Sequence, residues 1–351
     1  MNAAPPGSLR LAVLNPCGGD PEQYFDNLPG PGSSGHAPVN FHAYAACTGG
    51  SFHSNTAHAL KERCPVLLLL RGDLKAAQRA LTQCQDRHAV VVVSLKETGM
   101  HQVAEKLRNR KIAARFFDII SRASGCLGPT PEIADFYQIC RGGKHARDAA
   151  FIPTPYPLGD KQWDLSVRPD QQHGIFVGTR EWDVPSRNHF AAIALAKQLS
   201  EQTGETTTVF NLDGNKGKRL LEAFGFPAGK LRVIDQRLPY ADYLKELAPH
   251  KIVLQLDRSR VPGQVAGDAL LCRTVCVGGD SAIERIAFPK TCGAGRSLTE
   301  IQGIALELLT NHNARGTAFM ESQWRSMEQL SFEAVRKRLE EFFRRPAKEP
   351  A

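Results

Sequence analysis

The stretches Val66-Leu-Leu-Leu-Leu70 and Val90-Val-Val-Val93 decide the fold class of this chain. Both are apolar at every position, so neither shows the alternation of a strand that has one face in water. Strands of this kind are typical of a parallel sheet that helices cover on both faces. Helices predicted at residues 74–85 and 100–109 follow the two stretches, which is the strand–helix alternation of that architecture.

The same alternation extends over the rest of the chain. The predicted strands are 9–14, 39–44, 66–70, 89–94, 149–152, 174–177, 206–211, 231–234, 251–256 and 274–277. The predicted helices are 54–63, 74–85, 100–109, 131–139, 187–202, 218–224, 240–247, 264–271, 299–311 and 333–343. Pro153, Pro155 and Pro157 form a stiff extended segment that is typical of a linker. We therefore predict two tandem doubly wound, Rossmann-like α/β domains, residues 1–156 and 157–351, with the ligand in an interdomain cleft at the carboxyl ends of the strands.

Composition agrees with two soluble domains. The chain has 351 residues, of which 42% are apolar and 23% charged. No apolar run approaches the roughly 18 residues that span a bilayer, and residues 1–14 show no secretory signal. The nine cysteines include no Cys-x-x-Cys pair, and Cys272 and Cys276 have no histidine nearby, so we expect no metal site. These features predict a cytoplasmic protein with reduced thiols.

The chain is basic, with a net charge of +8 from 44 basic and 36 acidic residues. A cluster of like charge consists of Lys106, Arg108, Arg110, Lys111 and Arg115. Positive charge suits nucleotide phosphates, anionic lipid headgroups or nucleic acid. No homeodomain, zinc-finger or RNA-recognition signature accompanies the cluster, so we predict no nucleic-acid partner. The cluster is either a solvated helix face or a peripheral contact with the inner face of an anionic membrane.

Two glycine runs differ in their context. Gly30-Pro-Gly32-Ser-Ser-Gly35 matches Gly-x-Gly-x-x-Gly, yet it neither follows a strand nor opens a helix, so we predict a loop and no dinucleotide cofactor. The run Pro16-Cys-Gly18-Gly19 does follow the first predicted strand. Glycines there let backbone amides approach an anion, although an ordinary tight turn has the same composition.

The second half of the chain carries a candidate diphosphate site. Gly178 and Arg180 follow the strand that ends at Val177, and Arg187 lies at the start of the next predicted helix. Two arginines at the carboxyl end of a parallel strand, beside a helix N-terminus, are suited to clamp a diphosphate. The alternative is a pair of arginines that form surface salt bridges.

Asp268 is an acidic residue within the otherwise apolar predicted helix 264–271. A carboxylate among apolar neighbours needs a partner. A ribose diol is one candidate, and a buried cap or an internal salt bridge is the other.

These pieces, in this order, resemble a GT-B glycosyltransferase, and most closely the retaining family 4 (group 1) type. The resemblance rests on Phe176-Val-Gly178-Thr-Arg180, Arg187-Asn188, Gly263-Gln-Val-Ala-Gly-Asp268-Ala269, Cys272-Arg-Thr-Val-Cys-Val277, the linker Ile152-Pro-Thr-Pro155 and the closing segment Leu330-Ser-Phe332-Glu-Ala-Val335. It covers most of residues 149–345 by pattern and the first half by architecture. It implies an N-terminal acceptor domain, a C-terminal donor domain and a last long helix that crosses back to the N-terminal domain.

The resemblance also implies a role for each matching residue. Arg180 and Arg187 correspond to the basic pair that holds the donor diphosphate, and Asp268 corresponds to the glutamate that binds the donor ribose. Gly18 and Gly19 correspond to the glycine loop over the donor phosphate. The remaining predicted binding residues belong to the same motifs and are Gly178, Gly263 and Gln264.

Three departures from the family's pattern bear on activity, and one of them is that the family's second glutamate is shortened to Asp268 here. Arg260 stands where the family has the first glutamate of Glu-x7-Glu, and residues 181–186 space the basic pair more widely. The resemblance implies transfer of a sugar from a nucleotide-sugar to a glycan or lipid-linked acceptor, with retention of configuration and without a metal. Two alternatives stay open: a nucleotide-sugar 2-epimerase, and a non-catalytic nucleotide-sugar or glycan-binding module, which Arg260 favours.

Overall fold

The computed structural model describes residues 9–18, 39–143 and 148–345. The chain divides into two compact units. The first consists of Met1–Pro157 together with Gln329–Ala351, and the second consists of Leu158–Glu328. Each unit contains one β-sheet with helices between its strands. The predicted fold class, two Rossmann-like α/β domains, is confirmed.

Both sheets are parallel and doubly wound. The described strands are β1 (Ala12–Leu14), β2 (Phe52–His53), β3 (Val66–Leu70), β4 (Val91–Leu95), β5 (Gly125–Gly128), β6 (Ala149–Phe151), β7 (Ile175–Val177), β8 (Thr207–Phe210), β9 (Leu231–Ile234), β10 (Ile252–Leu254) and β11 (Val275–Val277). The sheet order is β2-β1-β3-β4-β5-β6 in the first unit and β11-β10-β7-β8-β9 in the second. Strand order therefore reverses between β1 and β3 and between β7 and β10, and these two places are the topological switch points.

The helices connect the strands and are often capped by side chains. They are α1 (Asn40–Cys47), α2 (Thr56–Lys61), α3 (Lys75–Gln85), α4 (Met100–Leu107), α5 (Arg110–Arg122), α6 (Pro131–Arg141), α7 (His189–Thr203), α8 (Gly214–Ala223), α9 (Tyr240–Leu247), α10 (Gln264–Leu271), α11 (Ala282–Ala287), α12 (Leu298–Thr310), α13 (His312–Gln329) and α14 (Phe332–Arg344). Ser281 with Glu284 and Ser297 with Glu300 form capping boxes at α11 and α12. Such reciprocal bonds satisfy N–H groups that the first helical turn leaves without a partner.

In the first unit, alternate residues of β3 face two separate hydrophobic cores. Val66, Leu68 and Leu70 pack with α3, α5 and α6 on one face of the sheet. Leu67 and Leu69 pack with α1 and α14 on the other face. A strand that is buried on both sides has no polar face, which explains the unbroken apolar stretch in the sequence.

The C-terminal helix α14 is part of the first unit. The backbone N–H of Tyr156 donates to the Leu330 carbonyl at 2.7 Å, and the N–H of Phe332 donates to the Tyr156 carbonyl at 3.1 Å. Val335 and Phe342 of α14 are then buried in the same core as α1. The helix is amphipathic, and the burial of its apolar side holds it against the sheet.

Some predicted elements are wrong or missing. The strand predicted at 39–44 is wrong, since these residues open helix α1, and β2 takes the place beside β1. Seven of the eight residues of α1 are buried, so its apolar residues show no helical period, and periodicity alone does not separate such a run from a buried strand. Strand β5 was not predicted because it begins and ends with glycine, which has a low strand propensity. Helices α5, α11 and α13 were also not predicted.

Candidate functional site

In the second unit the candidate site lies at the switch point between β7 and β10. Val177 pairs with Leu254 at the ends of these strands, so the turns that follow them lie side by side. Doubly wound sheets bind their ligands at the carboxyl ends of the strands at such a point. The predicted residues Gly178 and Arg180 follow β7 directly, and the structure therefore places both of them at this edge.

Two of the predicted binding residues are glycines at positions where side chains of other residues lie too close to leave room for a Cβ. A Cβ on Gly178 would lie 2.5 Å from Cγ1 of Val265, and a Cβ on Gly263 would overlap the Ser281 hydroxyl. Gly263 also has a φ of +103°, which side-chain-bearing residues rarely adopt. This packing sets the first turn of α10 against the turn after β7, and no side chain caps α10. An uncapped helix N-terminus at this edge favours an anion.

The structure brings Asp268, Gln264 and Arg180 together, three residues that the resemblance assigns to the donor site. The Asp268 side chain is buried, with the residue only 1% exposed, and its Oδ1 accepts a hydrogen bond of 2.5 Å from the Tyr240 hydroxyl. The side chain of Gln264 also bonds to this carboxyl, and the Arg180 guanidinium acts on it through its charge. The structure thus gives Asp268 an internal partner, the Tyr240 hydroxyl, which is neither a helix cap nor a salt bridge; a ribose contact of Asp268 stays a prediction.

Burial raises the pKa of Asp268 to about 7, and the Tyr240 bond and the charge of Arg180 offset this only in part. The carboxyl is therefore close to half protonated near neutral pH. A ribose diol would reach it only by displacing the Tyr240 hydroxyl. That exchange would break the short hydrogen bond between Tyr240 and Asp268 in a buried environment, where a polar group without a partner is strongly destabilising.

Arg187 lies between two carboxylates. Its guanidinium contacts Asp257, which follows β10, and its Nε is 2.9 Å from Glu181. The Asp257 side chain is almost fully buried, so this pair holds the loop after β7 against the loop after β10. The positive charge of Arg187 is already compensated, which is the salt-bridge arrangement that the sequence analysis left as an alternative.

Arg180 is in a different situation from Arg187. It is exposed, and within residues 9–18, 39–143 and 148–345 it forms no salt bridge. Its charge acts on the buried Asp268 carboxyl and on the partly buried Tyr243 hydroxyl. Arg180 is therefore a cation at this edge that is available to an anionic ligand.

In the first unit, Gly18 lies at the other switch point, directly after β1. Its N–H donates to the Asn15 carbonyl at 3.3 Å, and the Cys17 N–H donates to the Asn15 side chain at 3.4 Å. Gly18 has a φ of +64°, and a Cβ there would meet nothing within 4 Å. The turn is compact and open to solvent. Gly19 and the run Gly30–Gly35 lie outside the described residues.

Sequence reasoning missed Tyr240 and Asp257 as parts of this site, because neither belongs to a motif. Each is identified only by its contact with a residue far away in the chain. His189, also at this edge, bonds to the Thr179 hydroxyl at 2.9 Å, and burial lowers the pKa of His189 to about 4, so its ring is neutral. Among the described residues, no three His, Cys, Asp or Glu side chains come together as metal ligands would.

No known family model matches the sequence, and no curated protein matches it. Solved structures do match its fold. A UDP-forming α,α-trehalose-phosphate synthase from Burkholderia xenovorans is 11% identical over 82% of this chain and 76% of its own, with a TM-score of 0.58. TarM is 10% identical over 82% of this chain and 57% of its own, with a TM-score of 0.59. A Listeria monocytogenes protein assigned as a UDP-N-acetylglucosamine 2-epimerase is 12% identical over 98% of this chain and 100% of its own, with a TM-score of 0.54.

At identities of 10–12% these likenesses concern the fold alone. They show that the chain has the GT-B fold, which is the coarser part of the resemblance drawn from the sequence. This fold serves both glycosyl transfer and epimerisation among the three relatives. Membership of family 4 stays a prediction.

Proposed function

We propose that this protein transfers a sugar from a nucleotide-sugar donor to an acceptor. One observation carries the proposal: Arg180 stands exposed and without a salt-bridge partner among the described residues, at the switch point of the second sheet, beside the uncapped N-terminus of α10. A guanidinium and a helix N-terminus together are suited to a diphosphate. The trehalose-phosphate synthase and TarM support a transferase through their shared fold.

In the proposed mechanism the second unit stabilises the leaving group. Cleavage of the sugar–phosphate bond places negative charge on the nucleoside diphosphate, and Arg180 with the first N–H groups of α10 stabilises that charge. The bonds between Arg187, Glu181 and Asp257 hold the loop that carries Arg180 in place. The mechanism uses no metal, and we propose retention of configuration in line with the family 4 resemblance.

The proposed acceptor is a glycan or a lipid-linked sugar. Arg108, directly after α4, and Arg110 and Lys111 of α5 are exposed, and they would attract an anionic membrane at about 1 kcal/mol per basic residue. Among the described residues, no helix is long and apolar enough to cross a bilayer. Binding to vesicles that contain anionic lipid, measured by co-sedimentation at low and high salt, tests this peripheral contact; no binding at low salt would refute it.

Donor binding tests the proposal directly. UDP-, GDP-, ADP- and CMP-sugars are screened by thermal shift, where a ligand at 100 times its dissociation constant adds about 2.7 kcal/mol of stability. Arg180→Gln should lower the affinity for the nucleoside diphosphate by about tenfold to a hundredfold, because the variant loses a charge-assisted hydrogen bond. The matched control is Arg168→Gln, an exposed arginine of the same unit that pairs with Asp170. Equal affinity in both variants would contradict the assignment of Arg180.

Arg260 keeps a second candidate open, a nucleotide-sugar binding module without turnover. The family has a glutamate at this position, and here Arg260 lies 3.6 Å from Asp280 through its Nε. The fold shared with the Listeria protein makes sugar epimerisation a further candidate reaction. Tight donor binding with neither sugar transfer, hydrolysis nor epimerisation would favour the module, whereas transfer to any acceptor would exclude it.

A further inference from the structure

The first unit contains a depression of about 580 Å³ at the carboxyl edge of its sheet. Its lining residues are Cys17, Gly18, Arg71, Gly72, Glu97 and Lys106. Three loops, which follow β1, β3 and β4, meet helix α4 there. The depression therefore lies at the switch point between β1 and β3, where a doubly wound sheet binds its ligand.

Two cations and one carboxylate line this depression. Lys106 Nζ is 2.7 Å from one oxygen of Glu97, and Arg71 Nε is 3.6 Å from the other. The Lys106 side chain lines the depression and is only 15% exposed, so water screens its charge less than that of a surface lysine. Asp73, the other acid that acts on Cys17, is itself paired with two further cations. Among the described residues, the lining side chains Arg71, Glu97 and Lys106 therefore carry one net positive charge.

Glycines keep the floor of the depression free of side chains. Gly18 and Gly72 have φ of +64° and +60°, and a Cβ on Gly18 would meet nothing within 4 Å. Within the described part of the chain, a Cβ on Gly72 would meet Sγ of Cys17 alone, at 3.9 Å. Burial raises the pKa of the Cys17 thiol, so this group stays neutral and adds no negative charge. The described residues thus form a recess that is positively charged and has no side chain on its glycine floor.

We propose that this depression binds a phosphoryl group, and that the acceptor of the sugar transfer carries it. A phosphate monoester bears about 1.5–2 negative charges at neutral pH, which suits two cations held together by one carboxylate. Among the residues that the structure describes, no aromatic ring lines the depression to stack a nucleobase, and the volume is that of a small-molecule site. The role as acceptor site rests on the proposed function, whereas binding of the anion does not.

Variants of opposite charge test the proposal. Inorganic phosphate and a hexose 6-phosphate are titrated calorimetrically into Lys106→Gln, Glu97→Gln and the parent protein. Lys106→Gln removes a positive charge and should lower the affinity for phosphate about five- to tenfold. Glu97→Gln removes a negative charge and should raise that affinity by a similar factor. Arg108→Gln is the control, since this exposed residue of the same region pairs with Glu105 outside the depression. Changes of the same sign in both test variants, or no change, would overturn the proposal.

The thiol of Cys17 reports where the anion binds. Phosphate should slow alkylation of Cys17 by iodoacetamide and leave the partly buried Cys64 unaffected. Equal rates at Cys17 with and without phosphate would overturn the site. A short-chain isoprenyl phosphate is compared with the hexose phosphate, and a preference for either supports the proposal while it distinguishes a lipid-linked acceptor from a soluble one.

The same samples separate this inference from the proposed function. Nucleoside diphosphate is titrated into Lys106→Gln and Arg180→Gln. If only Arg180→Gln has a lower affinity for nucleotide and only Lys106→Gln has a lower affinity for phosphate, both assignments stand. If Lys106→Gln lowers the affinity for nucleotide as strongly as the affinity for phosphate, the depression binds the donor and the acceptor role is wrong. Phosphate binding without any nucleotide binding refutes the proposed function and leaves the anion site intact.

Discussion

Replacement of Asp268 by asparagine should make the protein more stable at alkaline pH. Burial raises the pKa of Asp268 to about 7 from its ordinary value of 3.8, so the folded protein holds this proton more tightly than the unfolded chain does. The stability that comes from the protonated carboxyl is present at acid pH and is lost as the pH rises through 7. Asparagine keeps an oxygen that accepts the Tyr240 hydroxyl and cannot ionise.

The size of the effect follows from the shift. About three pKa units at about 1.36 kcal/mol each amount to roughly 4 kcal/mol over the full range, and about 3 kcal/mol of this falls between pH 5 and pH 8.5. Urea unfolding of the parent and of Asp268→Asn at a series of pH values measures it. The difference between the two should move by about that amount in favour of the variant, because the contributions of all other titrating groups cancel. Parallel stability curves would show that Asp268 does not titrate as described.

The same variant decides what Asp268 does for the ligand. With an internal partner, its replacement should leave the affinity for UDP or GDP unchanged or slightly improved, since the positive potential at Arg180 rises. A ribose contact predicts the opposite, a loss of about tenfold to a hundredfold. Calorimetric titration at pH 8 distinguishes the two, and a loss of tenfold or more would establish Asp268 as a ribose ligand.

Two further substitutions test how each unit is held together. Arg141→Ala breaks a buried ion pair with Asp148 in the first unit, where Nε and Oδ1 are 3.0 Å apart, and should lower the free energy of unfolding by about 3–5 kcal/mol. The control Arg108→Ala removes an exposed ion pair and should lower it by less than about 1 kcal/mol. Similar losses for the two variants in urea unfolding would contradict the role of the buried pair. Gly263→Ala adds a Cβ that overlaps Ser281 at a φ of +103° and should cost at least about 2 kcal/mol. The control Gly225→Ala, at a φ of +61° with open space, should cost about 1 kcal/mol in the same thermal or urea melts.

The sequence by itself determined the architecture of this protein. The apolar stretch Val66–Leu70 predicted a strand buried on both faces, and the structure has it at those residues. The predicted helices 240–247 and 264–271 also match α9 and α10 at both ends. These signals are local, because the period of apolar residues along a short segment records which of its faces are buried.

Only the tertiary structure decided which partner each charged or polar side chain has. The sequence placed Arg180 and Arg187 at one edge, but not that Arg187 is neutralised by Asp257, 70 residues further along the chain. The partner of Asp268, the Tyr240 hydroxyl, is likewise 28 residues away. The choice between strand and helix at residues 39–44 was tertiary too, since a wholly buried segment has no polar face to show its period. Pairings of this kind depend on how distant segments meet in the folded chain, and a pattern of neighbouring residues carries no record of that meeting.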